Sequence, residues 1–200
     1  MKTLPFTKEK FLQEVAEHKL TVMHDDGIYR HLRIQKPGTS CMHYDIVTYP
    51  GYLVYTGDMG SYTFTRLSDM FDFFRDSDDD WGINRRYWSE KCEAQCSSGI
   101  NKFNFDLFKA NLLEYCVDEY SDNSEEQKAH LLSEIRYIDE DEFGAVNFVR
   151  DFDEDNEAGV TLGDFWEVDN TEYTHRYTWC CMAIVWAIRL YDQHQLEKAQ

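Results

Sequence analysis

Positive charge is scarce in this sequence: 20 Lys and Arg stand against 38 Asp and Glu in 200 residues, giving a formal net charge of −18 and a pI near 4.6. A protein that binds nucleic acid by neutralising phosphates needs the opposite balance, as does one held at a membrane by a polybasic patch; both classes are excluded. Long apolar runs are missing too. The longest, Trp179–Ile188, falls well short of the roughly 20 residues a membrane-spanning helix requires and reads as a buried helix. The first twenty residues interleave Lys and Glu with apolar positions and so contain no h-region of a secretory signal, which makes a cytoplasmic protein the expectation. There is no Gly-rich phosphate loop, no Gly-x-Ser-x-Gly, no His-Glu-x-x-His, no internal repeat and no low-complexity tract, and no cofactor is expected.

Aromatic residues are abundant. They make up 16% of the chain, and their large buried areas offset the ordering entropy of a chain otherwise near the composition of disorder. Length and composition predict one α+β domain over residues 1–200. Apolar positions at Phe11, Leu12, Val15 and Ala16 predict a helix over about residues 7–19. An antiparallel meander of about five strands follows, with turns at Asp26-Gly27, Pro37-Gly38, Pro50-Gly51 and Gly57-Asp58-Met59-Gly60. From Ser68 the pattern becomes helical: a helix capped by Ser68 and carrying Phe71, Phe73 and Phe74, then helices at about 84–95, 105–120, 124–137, 140–150 and 174–196, packed on the sheet.

The charge is not spread evenly. Residues 1–68 hold 8 basic and 7 acidic side chains, while residues 118–172 hold 19 acidic and 3 basic. Solvated faces explain single acidic runs, but this excess exceeds what solubility needs and destabilises the compact state by self-repulsion. Carboxylates three or four apart on a helix lie about 5–6 Å from one another, so a helical lobe can hold a row of negative charge that imitates a phosphate backbone. The expected partner is therefore a basic, nucleic-acid-handling host protein and not nucleic acid itself. The phosphate surrogates are expected to be Asp118, Glu119, Asp122, Asp139, Glu140, Asp141, Glu142, Asp153, Glu154 and Asp155. A separate acidic run spans Asp76 to Asp80.

Two patterns point to other chemistry. Asp153, Asp155, Glu157 and Asp164 fall at positions 1, 3, 5 and 12 of an EF-hand-like loop, but Gly159 stands at the seventh position where the sixth is needed, and Asp164 is shorter than the bidentate Glu. The other pattern, His24, Asp25, Asp26, His31, His43, Asp45 and Asp58, falls on or beside the strands; His24, His43, Asp45 and Asp58 would serve a small metal-dependent hydrolase or nucleotide-processing enzyme if they converged. Six cysteines, two of them adjacent (Cys180 and Cys181), read as reduced thiols; Cys92 and Cys96 are expected to share a helix face as core fillers.

Three stretches together carry a resemblance: Cys41–Gly51 (CMHYDIVTYPG), Gly57–Arg66 (GDMGSYTFTR) and Asp69–Arg75 (DMFDFFR). With Ile83–Trp88 and Trp179–Asp192, this pattern resembles a group of uncharacterised bacteriophage and prophage proteins, Tyr49 standing where that group carries Trp. The resemblance implies a phage accessory product acting in a bacterial host cytoplasm and implies no mechanism. Charge and resemblance together predict a non-enzymatic inhibitor of a host defence system, of anti-CRISPR or anti-restriction type, or of a DNA-processing complex. A phage structural or assembly component is the further alternative.

Overall fold

Alternating apolar and polar residues, interrupted by Gly and Pro turns, fold the first part of the chain into a meander. A computed structural model describes residues 6–75, 81–119, 125–154 and 162–200. Helix α1 (Lys8–Glu14), capped by the Thr7 hydroxyl, precedes strands β1 (Lys19–Asp26), β2 (Tyr29–Gln35), β3 (Tyr44–Tyr49), β4 (Tyr52–Gly57) and β5 (Gly60–Thr65). Each strand pairs antiparallel with the next. Register follows from the turns. Tyr49 lies opposite Tyr52 across the Pro50-Gly51 loop, where Pro fixes the first turn residue and Gly51 takes φ +85°, a conformation that disfavours a side chain.

After β5 the chain departs from its local preferences. The expected helix over 84–95 stops early: α3 (Arg85–Ser89) is capped by Asn84, and Cys92–Gln95 forms β6, a sixth strand against β5. The open edge of β5 supplies hydrogen bonds that outweigh the helix propensity of Glu, Ala and Gln. Cys92 and Cys96 therefore belong to the sheet edge and not to a helix face. Helix α2 (Met70–Phe74) is capped by Asp69, one residue later than Ser68, through a 2.9 Å bond from the Phe71 N–H.

The chain divides into two compact units, one running to Ile100 and resuming at Tyr173–Gln200, the other Asn101–Glu172. In the first, one face of the sheet carries Leu32, Ile34, Tyr44, Ile46, Leu53, Tyr55, Tyr62 and Phe64, all buried with α7 (His175–Lys198) in one core. Trp179 anchors α7: its indole N–H donates 2.9 Å to Glu14 Oε2, and Phe11 meets its ring edge-on. Tyr44 donates to the Ala183 carbonyl at 3.1 Å, which gives a buried phenol its partner.

The second unit comprises α4 (Phe105–Glu119), α5 (Glu125–Ile135), α6 (Glu142–Glu154), a 3-10 turn (Phe165–Glu167) and a small ladder of β7 (Asn101–Phe103) with β8 (Thr171–Tyr173), whose last residue is the first of the resumed sheet unit. Its own core gathers Phe108, Leu112, Leu131, Ile135, Ala145, Leu162 and Phe165. Among the described residues no helix is long and apolar enough to cross a membrane.

Candidate functional site

The division into units redraws the charge. Residues 101–172 contain 21 acidic and 5 basic side chains, so this unit carries a net −16 and the sheet unit only −2. Of the ten expected phosphate surrogates, Asp139, Glu140, Asp141 and Glu142 are placed together on the surface, all exposed, at the entry to α6. One of the four has a structural task as well. Asp141 Oδ1 accepts from the Gly144 N–H at 2.7 Å while its carbonyl accepts from Ala145, so Asp141 caps α6. Gly144 is required here because a Cβ at this position would stand 2.5 Å from the Asp139 carbonyl oxygen. The turn is thereby clamped to the helix, which fixes where Asp139 to Glu142 sit.

Asp118 and Glu119 occupy the last turn of α4, and Asp153 and Glu154 the last turn of α6, on other elements of the same unit. Asp122 and Asp155 lie outside the described residues, as do Glu157 and the Asp76–Asp80 run. Of the EF-hand-like set, Asp153 is helical and Asp164 precedes the 3-10 turn. No group of three His, Cys, Asp or Glu arranged to hold a metal occurs among the described residues.

The polar residues of the sheet are engaged locally and with different partners. Arg33 grips Asp45 with two 2.8 Å bonds, and His31 Nε2 stands 3.3 Å from Asp45 Oδ2. The Arg33 guanidinium holds the Asp45 carboxyl below the usual carboxylate range, against the opposing effect of its partial burial. His24 faces His31 across the β1–β2 ladder; Asp25 accepts from the Tyr191 hydroxyl at 2.7 Å; the His43 ring meets the Ser40 carbonyl; and Asp58 accepts from the Met42 N–H. Of the set, the structure brings the His31 and Asp45 side chains together, places His24 opposite His31 in the ladder, and joins His43 to Asp58 through the backbone, the Asp58 N–H donating to the His43 carbonyl at 3.0 Å. The five described thiols, Cys41, Cys92, Cys96, Cys180 and Cys181, are free.

Sequence reading missed the apolar surface that accompanies the acids. Tyr137, Phe143, Val146 and Trp166 are largely exposed, all within the acidic unit. The signal was present in α6. Ala145, Phe148, Val149 and Phe152 follow the i, i+3, i+4, i+7 pattern of a core face, and that phase leaves Phe143 and Val146 outside it. Comparison with protein-family models, curated proteins and solved structures returned no match.

Proposed function

We propose that the protein is a non-enzymatic binding protein whose acidic unit, residues 101–172, occupies the nucleic-acid groove of a basic host protein. The observation that carries this reading is the confinement of a net −16 to one compact unit beside a sheet unit of −2. A general need for solubility spreads charge over the whole surface; a groove that binds phosphates instead selects for charge on one face of one module. The backbone of the exposed run at the entry to α6 is held by the Asp141 cap and by the close Gly144 contact, so docking the run orders little of the chain. Resemblance to phage proteins supports a setting in a bacterial host, where a defence complex of CRISPR or restriction type, or a DNA-processing complex, provides such a groove. In that setting inhibition follows from occupancy and requires no turnover.

The test is affinity capture from bacterial lysate with the full chain as bait. A basic nucleic-acid-binding protein is expected in the retained fraction at low salt, displaced by duplex DNA and released at high salt, because the contact recovers the free energy of counterion release. The decisive variant reverses Asp139, Glu140 and Glu142 to Lys and keeps Asp141, whose side chain caps the helix. Retention unchanged by that reversal, or unaffected by DNA and salt, overturns the proposal.

A further inference from the structure

The acidic unit leaves an apolar groove of about 240 Å³ open to its surface. Its floor is made by Phe108, Ala145, Val149 and Phe165, members of the unit's own core, and its lip by Val146 and Trp166. The lip is the unusual part. Val146 is 59% exposed and Trp166 74%, although each stands next in the chain to a buried residue, Ala145 and Phe165. Large apolar side chains gathered around an apolar depression mark a contact surface more often than scattered exposed ones do, and an exposed Trp is the residue type that most often anchors binding.

Glu142 and Asp169 are part of the same lining, and Asp139 to Asp141 lead directly into Glu142. Asp169 is held in place by the Thr171 N–H and hydroxyl, at 2.9 and 2.7 Å. Three of the five cations of the unit are paired with other acids: Lys102 with Glu172, Lys109 with Asp106 and Arg150 with Asp151. An apolar floor with a carboxylate rim is complementary to one kind of surface, a bulky apolar side chain flanked by Lys or Arg. A second copy of this chain fits poorly, since it would bring another unit of −16 against the first.

We infer that this groove docks a basic amphipathic segment of the partner, seating one bulky apolar side chain over Phe108, Val149 and Phe165 while flanking Lys or Arg side chains meet Glu142 and Asp169. The inference rests on the acidic-docking reading and adds to it an apolar anchor, which long-range charge alone does not supply. Charge then steers the encounter, and the anchor sets how long the complex lasts.

The test uses the full chain and three fluorescein-labelled peptides of equal length: a helical Lys/Leu/Trp amphipath, an oligolysine of matched charge, and the amphipath with Glu in place of Lys. Anisotropy titrations at low and high salt are expected to show the basic amphipath binding at least about tenfold tighter than oligolysine. Val146→Asp and Trp166→Ala are each expected to remove that margin, and Glu142→Lys to weaken both basic peptides. The two groove positions are exposed, and circular dichroism checks that the variants keep their helices. Equal binding of oligolysine and amphipath, or undiminished binding by both groove variants, overturns the groove and leaves charge-driven docking standing. Equal binding of the acidic and basic amphipaths overturns the charged rim, and with it the acidic-docking reading on which it rests. No binding by any peptide, or a dimer in sedimentation that Val146→Asp dissolves, overturns the inference.

Discussion

Asp69 holds two parts of the sheet unit at once. Its carboxylate accepts two 2.8 Å bonds from Arg30, whose guanidinium lies over the Phe71 ring, and it also caps α2 through the Phe71 N–H. Asp69→Ala leaves a nearly buried Arg30 without its partner and α2 without its cap, and is expected to destabilise by about 2–3 kcal/mol in urea unfolding at pH 7, with Asp69→Asn losing less. Burial alone would raise the Asp69 carboxyl; the Arg30 and Phe71 bonds outweigh it and hold it below its ordinary value. Asp45 is lowered by Arg33, and Asp25, against a desolvation effect that would raise it, by the Tyr191 and Gln195 bonds. A depressed folded-state value stabilises the protein above the unfolded value, about 3.9 for Asp, and that stability is withdrawn as pH falls through the folded values. Urea midpoints of the sheet unit, followed by tryptophan fluorescence, should therefore be flat near neutrality and drop below about pH 4, with a smaller drop in Asp45→Asn.

At the scale of elements, α7 holds the sheet unit together and α6 presents a surface. Ile184→Ala in α7 removes a fully buried side chain and is expected to cost about 2–5 kcal/mol. Val146→Asp in α6 is expected to stay within about 0.5 kcal/mol of the parent, because its side chain faces solvent. What was legible in the sequence divides the same way. Helices α4 to α7 and the five strands of the meander announce themselves through periodicity and turn chemistry; β1 to β5 begin and end where Asp26-Gly27, Pro50-Gly51 and the Gly57–Gly60 turn require. Strand β6 was not legible, since Cys92–Gln95 pairs only because β5 offers a free edge about thirty residues earlier in the chain, a non-local fact that local propensity does not encode. The acidic run at 139–142 was readable as charge. That Asp141 is a cap, and that Val146 and Trp166 flank a groove, depends on backbone geometry and on packing between α6 and the 3-10 turn.

For the whole molecule, the uneven charge predicts uneven responses. Screening shortens the reach of like-charge repulsion to about 8 Å at physiological ionic strength, so added salt should raise the thermal stability of residues 101–172 and change that of the sheet unit little. Helical circular dichroism compared with tryptophan fluorescence separates the two, since four of the five tryptophans, Trp81, Trp88, Trp179 and Trp186, belong to the sheet unit. The place where the chain leaves and rejoins the sheet unit also has a meaning of its own. The Thr174 N–H donates to the Ile100 carbonyl at 2.8 Å, so the chain resumes the sheet unit one hydrogen bond from where it left it. A segment whose two ends meet can be lengthened, shortened or traded without altering the register of the strands that carry it. Replacing residues 101–172 by a short Gly-Ser linker should leave a remainder that still melts cooperatively, with Trp81, Trp88 and Trp179 buried as before. The strands of the sheet unit are thus closed off from what lies between residues 100 and 173, so a change of length or composition within 101–172 is expected to leave their pairing as it is.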